Sequence, residues 1–248
     1  MSKEKAYKLL SIQEDISAKK AKLYIDSGLV SIKGQKLQIA RVLIDSKSVF
    51  DIKPIPQTKV IFEDDNILVV DKPAYQTAEQ TSKLFKNFFL LNRLDKETSG
   101  VMLFAKTKLF QTKAIQQFKQ KNVYKEYIAI VQGKVPESLT IDQPIMTTKG
   151  KTAKSKIDEK NGKPATTIVT PLFIQGKLSK LKVVIQDGRT HQIRVHLSSV
   201  GHPIVGDILY GKKSANIQRV MLHCVKTEIF DYCFEAKEPK EFKLFGFG

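Results

Sequence analysis

An α+β fold is predicted for this chain, with a mixed, largely antiparallel central sheet in the main domain and a small α/β unit before it. Three observations predict it. Strand-like segments rich in β-branched residues dominate and few helical segments fall between them. The 248 residues allow one large domain, or a main domain with a small appendage. The stretch Pro54-Ile55-Pro56 reads as a linker, which gives expected units of residues 1–52 and 53–248.

In the first unit, Ser17 is placed to cap a helix whose Ala18, Ala21 and Ile25 share a face, while Lys19, Lys20 and Lys22 point elsewhere. Gly28 supplies its left-handed stop. Residues 29–33 alternate apolar and polar, Gly34-Gln35 turns, and residues 36–40 alternate back, which predicts a hairpin. In the second unit, residues 60–62 and 67–70 are strands around the acidic turn Glu63-Asp64-Asp65-Asn66. Residues 101–105 form another apolar strand. Thr107 then caps a helix with Phe110, Ala114 and Phe118 on one face. Strand resumes at 127–131. Residues 134–163 are polar and lysine-rich, a long surface excursion that could lie on a ligand. Strands follow at 166–170 and 181–186, and a helix runs from near Thr190 to Gly201.

Composition narrows the function. Hydrophobic residues make up 42% of the chain, enough for a packed core and too many for a disordered one. No apolar run approaches the ~20 residues of a membrane span, and the first residues lack a secretory apolar stretch. Two cysteines, Cys224 and Cys233, make no disulfide framework. A cytoplasmic protein is expected, with a monomer as the default. The formal charge of +17 attracts polyanions and releases counterions on binding them, so nucleic acid is the expected partner.

Two dense segments could carry chemistry. Asn92-Arg93-Leu94-Asp95-Lys96-Glu97-Thr98-Ser99-Gly100 is either a solvated turn or a loop that offers Asp95 beside Arg93, with Gly100 allowing a tight turn. Gly188-Arg189-Thr190-His191-Gln192-Ile193-Arg194-Val195-His196 invites a metal reading with His202 nearby. On a helix, however, His191 and His196 diverge by about 140°, unlike the i, i+4 pair that grips zinc. No metal is therefore expected. An arginine-bearing helix start facing a phosphate or a carboxylate fits better.

Taken together these segments carry a resemblance. Residues 92–100 resemble the H-R-L-D-x-x-T-S-G signature of the RluA-type RNA pseudouridine synthases. Lys125-Glu126-Tyr127-Ile128-Ala129, ending at Gly133, resembles the family's K-x-Y-x-A…G strand, and Gly162-Lys163-Pro164-Ala165-Thr166-Thr167 its G-K-x-A-x-T segment. The run from Gly188 to His196, then Gly201-His202-Pro203-Ile204-Val205-Gly206-Asp207, is similar to its G-R-T-H-Q-I-R…G-H-P-I-x-G-D block. Met221-Leu222-His223-Cys224 resembles its late M-L-H-A segment. The first unit resembles, in shape rather than motif, the small RNA-binding domain of ribosomal small-subunit protein four.

The resemblance implies an isomerase that converts uridine in RNA to pseudouridine without a cofactor. It implies Asp95 as the catalytic carboxylate and Arg194 as its partner, with Arg189 the alternate or a phosphate contact. It implies Tyr127 as the site tyrosine, stacking on uracil and accepting a sugar proton if the site lowers its pKa of about 10. Leu222 would pack under the uracil. Arg93 would fill the space of a flipped nucleotide or grip a phosphate. Lys19, Lys20 and Lys22 would contact RNA, with ribosomal RNA favoured over transfer RNA. One departure stands out: Asn92 occupies the family's histidine position and does not titrate near neutrality. It keeps a second expectation alive, a non-catalytic RNA-binding or ribosome-assembly factor with the same fold.

Overall fold

The computed structural model describes residues 2–26, 28–37, 39–54, 57–148, 153–211, 217 and 219–247. Ile55 and Pro56 of the expected linker, Gln38 of the expected hairpin and residues 149–152 of the lysine-rich stretch lie outside them. Among the described residues two compact units separate between Gln57 and Thr58. No helix is long and apolar enough to cross a membrane.

The first unit comprises β1 (Lys3–Lys5), α1 (Ala6–Gln13), α2 (Ala18–Asp26), β2 (Val30–Ile32), β3 (Gln35–Lys36), β4 (Leu43–Asp45) and β5 (Asp51–Ile52). Ala6, Leu9 and Leu10 of α1 meet Ala21 and Ile25 of α2, with Val30, Ala40 and Phe50 closing the core. Ser17 caps α2 as expected, its hydroxyl accepting the Lys20 N–H at 3.2 Å. Helix α1 escaped the sequence patterning because no cap residue marks its start: Lys5 stands there and makes no side-chain cap bond. The hairpin turns one residue earlier than expected, on Lys33 and Gly34, both at positive φ as a tight primed turn requires. Its return strand is short, with Lys36 and Gln35 pairing Ser31 and Ile32. Lys19 and Lys20 are exposed on α2, while the Lys22 ammonium lies 4.3 Å from the centre of the Tyr7 ring.

The second unit runs β6 (Lys59–Glu63), β7 (Ile67–Lys72), α3 (Ala78–Ser82), β8 (Phe89–Leu90), β9 (Ser99–Ala105), α4 (Lys108–Lys119) and β10 (Tyr124–Gln132). It continues with β11 (Leu139–Asp142), β12 (Ile145–Thr148), β13 (Lys154–Ile157), β14 (Thr166–Gln175) and β15 (Leu178–Ile185). It closes with α5 (Gln192–Ser199), β16 (Leu222–Ile229), β17 (Tyr232–Glu235) and a 3₁₀ turn over Lys240–Phe245. The spine of the sheet is β11-β14-β15-β10-β16-β9-β7-β6, with β8 added to β9 and β17 to β16. Among the described residues every pairing in this sheet is antiparallel except β9 with β16, so the sheet is mixed and largely antiparallel. Strand β9 is buried at all seven positions, which explains the unbroken apolar run there. Thr107 caps α4 through the Phe110 N–H, as its position predicts.

The lysine-rich stretch is not a loose excursion. It contributes β11 to the sheet edge and folds β12 onto β13, with Val135, Ile141, Ile145 and Ser155 buried. Alternating polar residues hid these strands, because each presents only one side to the core.

The parallel contact is brief, Ser99 beside His223 and Gly100 beside Cys224. Gly100 sits at φ 118°, and a Cβ there would come 2.1 Å from the Cys224 carbonyl oxygen. Its glycine serves this close strand crossing rather than a turn. A buried polar network holds the crossing. The Arg219 guanidinium donates to Ser99 Oγ at 2.7 Å and to the Leu222 carbonyl at 3.3 Å. Ser99 Oγ lies 2.8 Å from His223 Nδ1, and His223 Nε2 donates to the Ala236 carbonyl at 3.4 Å. Ser99 accepts from Arg219, so its own proton goes to Nδ1 and the ring is neutral.

Burial pushes the His223 pKa down to about 4, and Arg219 adds to the shift. The folded state therefore binds fewer protons than the unfolded one between that value and the ordinary ~6.5. Stability is expected to be full above about pH 6.5 and to fall toward pH 4, with His223 contributing about 3 kcal/mol of the loss. His191 and His196 are also lowered and act with the same sign. Denaturant titrations from pH 4 to 7.5 on wild type and His223→Asn isolate the His223 share. Identical pH slopes for the two proteins would refute it.

Candidate active site

The residues singled out near the centre of the sequence converge on one cleft. It is an open cleft lined by Arg93, Asp95, Tyr127, Arg189, His191, Arg194 and Leu222 among others. Three central strands build it: β9 emerges from the loop bearing Asp95, β10 carries Tyr127 and β16 begins with Leu222. Helix α5, which follows β15, brings Arg194.

The Asp95 loop is held from both sides. The Thr98 N–H donates to the Asp95 carbonyl at 3.1 Å, closing a tight turn, and the Tyr75 N–H donates to the Lys96 carbonyl at 2.7 Å. The segment bearing Tyr75 is itself anchored by Lys72, a fully buried residue whose ammonium donates to the Pro73 and Gln76 carbonyls at 2.9 and 2.7 Å. Burial, then Arg219, pulls the Lys72 pKa down to about 7. Asn92 is a further brace. Its side-chain oxygen accepts the Leu103 N–H at 2.7 Å and its amide faces the Val101 carbonyl at 3.4 Å. Asn92 thus bonds the backbone of β9 and does not line the cleft.

Arg194 is clamped. Its Nε and Nη2 donate to the two oxygens of Asp207 at 2.7 and 2.9 Å, and its Nη1 reaches Asp95 Oδ2 at 3.4 Å. Asp207 is fully buried and also accepts the Leu209 and Tyr210 N–H groups. Burial opposes the Arg194 charge, but the Asp207 bonds and the nearby carboxylates outweigh it and hold its pKa above the ordinary value. The helix start does face an anion, and the anion is a pair of carboxylates.

Tyr127 follows a bulge in β10 between Glu126 and Tyr127, where a strand re-aims its side chain, and pairs with Cys224 across to β16. Burial raises its pKa well above 10, and its bond to the Cys224 thiol and the Asp95 charge push the same way. The phenol is a proton donor and packing surface here; nothing lowers it toward a base. The Cys224 thiol is likewise pushed up, to about 11, chiefly by burial. Leu222 is buried, its carbonyl held by Arg219.

The other cations sit at the margin. The Arg93 side chain is 74% exposed and lies 3.3 Å from Glu79. Arg189 Nε donates to the Pro164 carbonyl at 3.2 Å, and its Nη2 lies 3.7 Å from Asp187. Arg189 therefore touches neither Asp95 nor Asp207, and Arg194 is the carboxylate's arginine. His191 and His196 do not share a face toward a metal: His196 is buried between Thr167 and the Gln143 carbonyl. Lys19, Lys20 and Lys22 belong to the first unit. Sequence reasoning missed Asp207, although a carboxylate after Gly206 in a dense motif was a visible signal. It also missed Lys72, whose burial no pattern announces.

The profile of the family described as RNA pseudouridylate synthase matches residues 66–199. An uncharacterized RNA pseudouridine synthase of Helicobacter pylori strain J99 is 51% identical over 242 residues, covering 97% of this chain and 100% of that protein. The ribosomal large subunit pseudouridine synthase D of Pasteurella multocida is 30% identical over 82% of this chain and 71% of its own length. The mitochondrial tRNA pseudouridine(32) synthase of Saccharomyces cerevisiae is 39% identical over 61% of this chain and 37% of its own length. Among solved structures, human RNA pseudouridylate synthase domain containing 1 superposes with a TM-score of 0.64 at 30% identity, covering 77% of this chain and 87% of that one.

Asp207→Asn would leave the Arg194 charge buried beside a neutral partner. The expected cost is about 3–5 kcal/mol of stability in urea unfolding, because the remaining cation loses its compensation in a dry site. A loss below about 1 kcal/mol, the range of an exposed pair, would show that the clamp does not hold the fold.

Proposed function

This chain belongs to the RNA pseudouridylate synthase family and is an RNA pseudouridine synthase, an isomerase; we propose that Asp95 carries the reaction and that ribosomal RNA is the substrate. The observation that carries the reading is the Asp95 carboxylate lining an open cleft, 3.4 Å from an arginine whose other nitrogens are engaged by Asp207. In the reaction the C1′–N1 bond breaks, the base turns, and a C1′–C5 bond forms. The C5 hydrogen leaves as a proton and N1 gains one, so no electrons are exchanged and no redox partner is needed.

The residues divide the work as follows. Asp95 meets the sugar or base, and Arg194 offsets its charge. Tyr127 and Leu222 form the apolar walls that hold the uracil, and Tyr127 donates its hydroxyl proton where a sugar or base oxygen comes within reach. Arg93, exposed at the mouth, enters the stack left by the flipped nucleotide, and Arg189 contacts phosphate. The first unit, whose sequence resembles a ribosomal protein's small RNA-binding domain, binds RNA through Lys19 and Lys20, with Lys22 braced on Tyr7. Ribosomal RNA is favoured by that unit and by the name of the Pasteurella relative. Asn92 bonds strand backbone outside the cleft, which supports turnover and speaks against the non-catalytic reading.

With RNA tritiated at uridine C5, wild type is expected to release tritium, and Asp95→Asn to lose about a thousandfold or more in rate. Asn92→His is expected to leave the rate within about threefold, since the side chain acts on β9 rather than on the substrate. Release by Asp95→Asn at the wild-type rate would reject the assignment. Binding without release by wild type would favour the assembly-factor reading, and release from transfer RNA alone would reject the ribosomal substrate.

Lys19→Gln with Lys20→Gln is expected to weaken RNA binding and to reduce the slope of log K against log salt by about 1–2, with the rate at saturating RNA unchanged. Filter binding at several salt concentrations reads the slope. An unaltered slope would remove the helix from the RNA interface.

A further inference from the structure

We propose that His191 is a positioning residue for this reaction: its Nε2–H, oriented by the Tyr210 hydroxyl, joins Arg194 in holding Asp95 Oδ2, so that Oδ1 is the oxygen presented to the substrate. The proposal rests on the reading of Asp95 as the catalytic carboxylate and adds to it which oxygen acts and what fixes it.

Backbone geometry is the first support. His191 stands immediately before α5 at φ 55°, in the left-handed region that a residue with a Cβ seldom occupies. Such positions persist where surrounding structure holds them, and they concentrate at working sites. Here the His191 carbonyl accepts the Val195 N–H at 2.9 Å, and the Gln192 N–H donates to the Arg189 carbonyl at 3.1 Å. The ring is thereby turned into the cleft beside Asp95.

Hydrogen bonding then fixes the tautomer. The Tyr210 oxygen accepts the Ser155 N–H at 2.8 Å, while the Ser155 hydroxyl donates elsewhere, to the Thr190 carbonyl at 2.7 Å. The phenol has one proton to give. His191 Nδ1, at 2.9 Å, is the acceptor that the described residues offer it. A neutral imidazole that accepts at Nδ1 carries its proton at Nε2. That nitrogen lies 3.8 Å from Asp95 Oδ2, beyond hydrogen-bond distance in the free protein, and under this proposal it closes onto that oxygen when substrate binds. Burial lowers the His191 pKa and favours the neutral ring.

Both donors meet the same oxygen. Arg194 Nη1 reaches Oδ2 at 3.4 Å and His191 Nε2 faces it at 3.8 Å, both on the same oxygen rather than on Oδ1. Tyr210 braces the pair, since its ring also lies 5.3 Å from the Arg194 guanidinium. A carboxylate gripped through one oxygen cannot rotate freely, and the other oxygen is left in a defined direction. Orientation of this kind governs rate rather than affinity.

The test combines kinetics with spectroscopy on the full chain. In the tritium-release assay His191→Leu is expected to lower kcat by about a hundredfold, with KM for RNA within about twofold. His191→Gln, which places an amide N–H near the position of Nε2–H, is expected to restore most of that loss. Tyr210→Phe keeps the ring under Arg194 and removes the orienting hydroxyl, so it should show an intermediate loss in kcat. A His191→Leu rate within twofold of wild type, a loss confined to KM, or no rescue by His191→Gln at equal thermal stability would overturn the proposal. Nitrogen-15 NMR of the imidazole in the free protein is an independent reading. The Nε2–H tautomer is expected, with its resonance displaced in Asp95→Asn, whereas an Nδ1–H tautomer would overturn the proposal even if every leucine variant failed to fold. If wild type releases no tritium from any RNA, the Asp95 reading has failed, and the NMR experiment still decides the arrangement around His191.

Discussion

The bidentate bond between Arg194 and Asp207 is the constraint on which the rest of the site depends. Both groups are buried, so each would be costly alone, and their paired geometry offsets much of that cost. Two of the guanidinium nitrogens are committed to Asp207, which aims the third at Asp95. A free arginine could follow a phosphate or turn to solvent. This one cannot, and its charge stays beside Asp95. The electrostatics at that carboxylate are set when the chain folds.

That clamp works only because the sheet delivers its parts to one place. Asp95 precedes β9, Tyr127 lies on β10, Leu222 opens β16, and the arginine comes from the helix after β15. Strands β10, β16 and β9 are neighbours in the sheet, and the parallel pairing of β9 with β16 sets the Asp95 loop and Leu222 at the same end. A glycine at the crossing permits the close approach, and the Arg219–Ser99–His223 network fixes its register. Polar groups this deep are costly unless every one is paired, and no described buried side-chain nitrogen or oxygen lacks a partner.

Much of this was legible in the residues, and the exceptions have physical reasons. The apolar run of β9 and the capped, one-faced pattern of α4 are local signals, and local signals survive in sequence. Helix α1 lacks a cap, and the strands between 134 and 163 bury only one side amid lysines, so neither stands out from its surroundings. At the site, Asp95 and Arg194 were visible because they sit in dense charged motifs. The purpose of Asp207 was not, since it is defined by a partner thirteen residues earlier that only the fold turns toward it. Tyr127 shows the limit in the other direction: its identity was readable, but the burial that raises its pKa belongs to the assembled sheet. Asn92, which looked like a catalytic departure, turned out to bond the β9 backbone instead.

The brief parallel contact between β9 and β16 also bears on the order in which the protein acquires its abilities. Its partners are separated by 124 positions in the chain, and antiparallel hairpins such as β14–β15 close over far shorter loops. Contacts of such long range are paid for in chain entropy before they return any stability, so they form late. The helix bearing Lys19 and Lys20, by contrast, is a local element. A nascent or partly unfolded chain therefore carries its positive charge before it carries a cleft. If that helix binds RNA as proposed, its binding surface forms early in folding and the cleft forms last.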